Sequence, residues 1–423
     1  MSTRLAIALA VCATPLLAAV PDGWFPFVIP LVDDSNTLVS VAHMNATPAG
    51  QEGFLVCRDG PFVDGKGRRV RFLATNLTFG GCFPTHEQAE QVAALGRDAL
   101  TRMADLRVAG KAFTVSEYNH PAPNDFRAEC VPMLAAFAAL QDWDGLFYFD
   151  YGKPAEGEAA ERVNGYFSIN TDLTKMAFLP IAANLFRRGD VQAARQVVRL
   201  SVPAQQVAEL LAKYQGDVRG IWQAAGVGPL APMQHRVELE LSQGDKITAT
   251  QPVQIAESNV TSDTGEITGD ARDKQRALFA VDTPKTKLII GFVGDRKVEL
   301  KGFSLALAPG APAWIAAAVT AMDDRPLSES QRVLLVLLGR VGNQDMGWNA
   351  DRTTVSRAWG KGPGIAQGVR AQIELATKQK PIAKALDGAG APKADVPSQA
   401  QGGRLSLTTG PEQQTLWYGL VAQ

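Results

Sequence analysis

Glu117 stands in the run Lys111-Ala112-Phe113-Thr114-Val115-Ser116-Glu117-Tyr118-Asn119-His120-Pro121, a β-branched and aromatic stretch that reads as a short buried strand with one carboxylate at its C-terminal end. A carboxylate in that position can attack an electrophilic carbon or move a proton. A second strand of the same kind, Asp144 to Tyr151, follows after a helix-length spacer. Together they predict a β-α-β unit whose chemistry gathers at one end of a parallel sheet. Asn76 and Asn119 can hydrogen-bond ligand hydroxyls, and Trp143 and Tyr151 can offer ring faces. Each also has an ordinary structural use, strand-end capping for the asparagines and core packing for the tryptophan. His86 and His120 lack ligand spacing, so no metal is expected, and no sequence feature calls for a cofactor.

The elements that must position these groups belong to a chain of 423 residues with 46% hydrophobic content, enough for about two or three packed domains. Lys and Arg number 42 against 43 Asp and Glu, which leaves no net field to attract nucleic acid or an anionic membrane. A neutral, polyhydroxylated substrate suits that balance, as would the substrates of most enzymes of small metabolites. Arg4, the apolar run Leu5 to Leu17 and the small pair Ala18-Ala19 read as a Sec signal peptide over residues 1–19, which predicts a secreted or periplasmic protein. No later segment is long and apolar enough to predict a membrane span. Removal of that leader leaves Cys57, Cys82 and Cys130, an odd set in which at least one thiol stays unpaired within the chain.

Residues 20–69 read as an extended arm followed by short strands, 70–230 as a β/α region, and 231–423 as a C-terminal β-sandwich. Within the β/α region, Asn124 or Asp125 is expected to cap a helix with Val131, Leu134, Ala135 and Ala138 on one face. Residues 170–188 predict one amphipathic helix, 196–200 a strand and 203–214 another helix. From His235 onward short alternating segments separated by Gly, Pro and Asp give an all-β texture. Residues 378–403, rich in Ala, Gly, Pro and Gln, predict a loose loop.

Gly53-Phe54, Asp59-Gly60-Pro61-Phe62, Gly67 to Phe72 and Thr75 to Gly80, in that order, resemble the opening of secreted cellulase-like glycoside hydrolases of the TIM-barrel clan (clan A). Val115 to Pro121 resembles their seventh strand, which carries the catalytic nucleophile, and Gln141 to Tyr151 their eighth. Leu334 to Asn343, Met346-Gly347-Trp348-Asn349 and Trp359-Gly360 are similar to a β-sandwich appended to some members. The resemblance implies hydrolysis of O-glycosidic bonds in a β-linked poly- or oligosaccharide by a retaining mechanism, with Glu117 as nucleophile and Asn76, Asn119, Trp143 and Tyr151 on the substrate.

The chain departs from that pattern by a large internal deletion. An eight-stranded barrel takes about 250 residues, whereas residues 70 to roughly 190 provide the first strand, one helical stretch and then the Glu117 strand, so strands two to six are missing. The expected fold class is therefore α/β plus all-β, an incomplete (β/α) TIM-type barrel followed by a β-sandwich. Retaining hydrolysis needs a second carboxyl about 5–5.5 Å from the nucleophile. The family's acid/base belongs to an Asn-Glu pair, and no Asn-Glu dipeptide occurs in the sequence. The acid/base is thus unassigned, with Asp142 and Asp150 as substitutes to test. The alternative is a carbohydrate-binding or inert remnant.

Overall fold

The computed structural model describes residues 20–31, 35–45, 50–75, 99–152, 156–250, 259–270, 276–350, 352 and 354–422. The expected leader, Asn76, Cys82 and His86 lie outside the described residues. Among those described, strands outweigh helices, 35% against 19%, and no barrel closes. The expected incomplete TIM-type barrel is thereby corrected to a predominantly β protein. Among the described residues the parallel sheet has three strands, β2 (Phe72–Thr75), β3 (Thr114–Tyr118) and β4 (Gly145–Tyr148), with β4 in the middle. Three short strands cannot curve through a full turn, so the sheet stays open.

Burial is supplied from elsewhere. A nine-stranded antiparallel sheet runs, in spatial order, through the strands beginning at residues 259, 267, 278, 286, 314, 332, 417, 381 and 392. One of its faces packs Ile289, Ile315, Leu335 and Tyr418 against Leu305, Ile373 and Leu407 of a five-stranded sheet. Its other face sets Leu288, Ile290, Leu334 and Val336 into the same core as Ile181, Leu185 and Phe137 of the helical layer. A sheet covered on both sides is apolar at nearly every position, and the few polar ones, such as Thr320, are hydrogen-bonded. That is why Trp314–Ala321 is buried at all eight residues instead of alternating.

Between β3 and β4 lies α1 (Cys130–Leu140), all of whose residues are buried. A helix apolar all round belongs in an interior. Asn124 Oδ1 accepts from the Phe126 N–H and opens a 3-10 turn at Arg127–Glu129, which leads directly into α1. The single helix expected over 170–188 is broken into Leu173–Met176, Leu179–Ala182 and a wider turn at Ala183–Arg187. Pro180 is the reason: it lacks the N–H that a continuous helix would need and is tolerated only in a first turn.

Residues 378–403 are also corrected, from loose loop to three strands, Pro381–Leu386, Pro392–Asp395 and Ser398–Gln401. Both prolines sit at the first position of their strands, where the missing donor costs least. Strand β5 (Val197–Pro203) pairs in parallel with β6 (Arg236–Ser242), so this pair straddles residue 231. The arm enters the fold as β1 (Trp24–Pro26), antiparallel to a strand at Lys361–Gln367.

Candidate functional site

The register of β3 against β4 slips between Val115 and Tyr118, so Ser116 and Glu117 together oppose Phe147. Such a bulge re-aims side chains. Val115 and Tyr118 stay buried while both Ser116 and Glu117 face solvent. Among the described residues, the Glu117 carboxylate has no recorded ion pair or hydrogen bond. It is an accessible carboxyl group at the C-terminal end of the parallel strands.

Its neighbours are fixed inward. Tyr118 Oη lies 2.8 Å from His120 Nε2, and His120 Nδ1 faces Glu129 Oε1 at 3.4 Å, all in the interior. Asn119 donates its amide hydrogens to the carbonyls of Phe149 and Phe167, the latter at 2.7 Å. That amide therefore ties the exit of β4 to the next loop and has no hydrogen left for a ligand. Trp143 has no exposed surface and packs against Phe113 and Phe137 with ring centroids 4.9 and 5.5 Å apart. It has no face for a sugar, which corrects its expected stacking role. Tyr151 is half-buried and donates its hydroxyl to the Leu31 carbonyl at 3.3 Å.

The two substitutes for the acid/base separate clearly. Asp142 precedes β4, at the end of the sheet away from Glu117, and binds Arg69, Arg71 and Arg236. Burial raises its pKa, but the three guanidiniums outweigh burial and hold the carboxyl below its ordinary value. Its lowered pKa and its place at the other end of the sheet set it apart from Glu117. Asp150 follows β4 and is brought by strand order to the same sheet end as Glu117, half-buried.

A polar cluster that sequence reasoning missed lies just inside this end. Arg127, Asp172 and Lys175 all have no exposed surface. Arg127 Nε donates to Asp172 at 2.7 Å, its two Nη groups donate to the Val341 carbonyl at 3.2 Å, and Lys175 Nζ stands 3.4 Å from Asp172. Burial pushes the Asp172 pKa up, yet Arg127 and Lys175 prevail and lower it to about 2. Burial lowers Lys175 against the pull of Asp172. The one sequence signal was the helix cap Asp172-Leu173-Thr174, whose side chain accepts from the Thr174 N–H.

Cys130 borders this cluster, and burial raises its thiol to about 12, with Lys175 opposing. Cys57 is exposed. Alkylation at pH 8 followed by peptide mass mapping should label Cys57 and leave Cys130 unmodified until the protein is unfolded. Labelling of both at equal rates would show that α1 opens readily.

No group of three or more His, Cys, Asp or Glu among the described residues could hold a metal ion. No helix among them is long and apolar enough to cross a membrane. No protein-family model, curated protein or solved structure matches this chain.

Proposed function

We propose that the chain is an exported glycoside hydrolase-type protein acting on β-linked poly- or oligosaccharides, with Glu117 as the nucleophile of a retaining reaction. The observation that carries this reading is the bulge that presents the Glu117 carboxylate, without a partner among the described residues, to solvent at the end of the parallel strands. Glu117 attacks the anomeric carbon, the glycosidic C–O bond breaks, and water then hydrolyses the glycosyl ester. The acid/base is unassigned, with Asp142 held at the far end of the sheet and Asp150 at Glu117's end, so slow cleavage of unactivated sugars is the expectation on this reading. A second reading, carbohydrate binding without turnover, is favoured by the capture of Asp142 in an arginine cluster.

Incubation with an aryl β-glycoside and mass analysis tests the first reading. A glycosyl adduct on the peptide containing Thr114–Tyr118 is expected, and none in Glu117→Gln. Turnover that is equal in Glu117→Gln would remove Glu117 from the reaction, and binding without an adduct would select the second reading.

A further inference from the structure

A cleft of ≈ 290 Å³ opens between the N-terminal arm and the edge strand β7 (Val341–Gln344), well away in sequence from Glu117. Its walls include two half-buried indoles, Trp24 and Trp348, together with Arg340, Arg352, Gln344 and Asp345. We propose that this cleft is a binding subsite for a neutral saccharide, with the two tryptophans as ring platforms.

The ligand class follows from the charges. Arg340 Nε is 3.2 Å from Asp125, and Arg352 forms a two-pronged pair with the same carboxylate at 2.9 and 3.1 Å. Asp345 pairs with Lys361 at 2.9 Å. Every charged wall residue thus has an opposite partner, which removes the main attraction for an ionic ligand. Each guanidinium nevertheless has N–H donors beyond those given to Asp125. Donors without unpaired charge, placed beside aromatic faces, match a pyranose, which shows hydroxyls at its rim and C–H groups on its face.

The platform is held before any ligand arrives. The Arg352 guanidinium lies 4.4 Å from the Trp348 ring centroid, so Asp125 fixes Arg352 and Arg352 in turn fixes the indole. The loop around Trp348 is closed by Asn349, which accepts from the Thr354 N–H through its side chain and donates to the Thr354 carbonyl, each at 3.0 Å. Asp345 and Arg352 hold left-handed backbone, φ 57 and φ 58, at either side of it. Strained non-glycine residues of this kind persist where surrounding structure fixes them, and they concentrate at ligand clamps. A rigid aromatic wall loses little freedom on binding. The volume stands near the lower end of small-molecule sites, about 300–1,000 Å³, which fits a short piece of a glycan.

The experiment titrates the Glu117→Gln protein with cellohexaose, mannohexaose and xylohexaose, reading tryptophan emission and calorimetry, with an oligogalacturonate as the anionic control. Using that variant keeps the ligand intact and makes the result independent of the proposed hydrolysis. At least one neutral oligosaccharide should bind, and Trp348→Ala should weaken it by about tenfold or more, while Trp348→Phe retains most of the affinity. Asp125→Ala should weaken it less, by releasing Arg352. Thermal unfolding of each variant establishes that the fold is kept, and the loop position of Trp348 makes it the primary variant because Trp24 also pairs in β1. No binding of any neutral oligosaccharide at about 5 mM, a level that detects even millimolar affinity, would overturn the proposal. So would binding unchanged in Trp348→Ala, or preference for the anionic control.

Discussion

Asp172→Ala should cost about 3–5 kcal/mol of stability, the range for breaking a buried ion pair by removing one partner. The carboxylate is the only anion bonded to Arg127 among the described residues, and Lys175 shares it. Its loss leaves two cations without compensation in an interior from which water is excluded. The Arg127 guanidinium also joins α1's entry turn to Val341, so the damage reaches β7. The pH dependence has a definite sign. The folded pKa of about 2 lies below the ordinary 3.8, so the stabilisation is present above pH 4 and is lost as pH falls towards 2. Denaturant unfolding at pH 7 and pH 3 measures both effects. The triple change of Arg127, Asp172 and Lys175 to Met, Leu and Met should recover much of the loss, because apolar packing needs no counter-charge. A loss under about 1 kcal/mol for Asp172→Ala would put the pair among solvent-screened ones and sink the argument.

On the proposed retaining reaction, aryl glycosides should be turned over about 10²–10⁴ times faster than natural polysaccharides, the factor that general acid catalysis typically provides. A nitrophenolate departs without a proton, whereas a sugar alkoxide does not. Asp142 is unavailable, being ionised and at the far end of the sheet. Parallel assays on cellulose, mannan, xylan and an aryl glycoside measure the ratio. Robust polysaccharide cleavage lost in Asp150→Asn would identify Asp150 as a working acid and refute the impaired reaction.

The strands around Glu117 and Tyr148 were legible because β-branched and aromatic runs of that length bounded by turn residues have few other uses. Their parallel pairing followed from the helix between them. The layer that covers them did not follow. The incomplete TIM-type barrel was an inference from resemblance, and nothing local to residues 314–321 says that both faces of that strand are buried. The bulge that turns Glu117 outward is likewise a property of two strands in register, which a single run cannot display. Trp143 was misread because an aromatic beside a strand carries no mark of which side it faces. The charge clusters were invisible for a related reason: Arg127 and Asp172 stand 45 residues apart, and Arg69 and Asp142 stand 73 apart. Side chains that distant are joined only by the fold.

Two of the arm's attachments lie far along the chain, and this bears on the order of events during synthesis. The Thr37 hydroxyl donates to the Ala389 carbonyl, 352 residues further on, and β1 pairs with the strand at Lys361–Gln367. A ribosome adding about 5–20 residues per second therefore leaves the arm without its dock for roughly 20–70 s. Phe25 and Phe27, both buried in the finished molecule, remain open to water and to holding chaperones for all of that interval. The segment Trp24–Pro26 is thus among the last to settle, and a chain truncated before residue 361 lacks the strand that pairs with it.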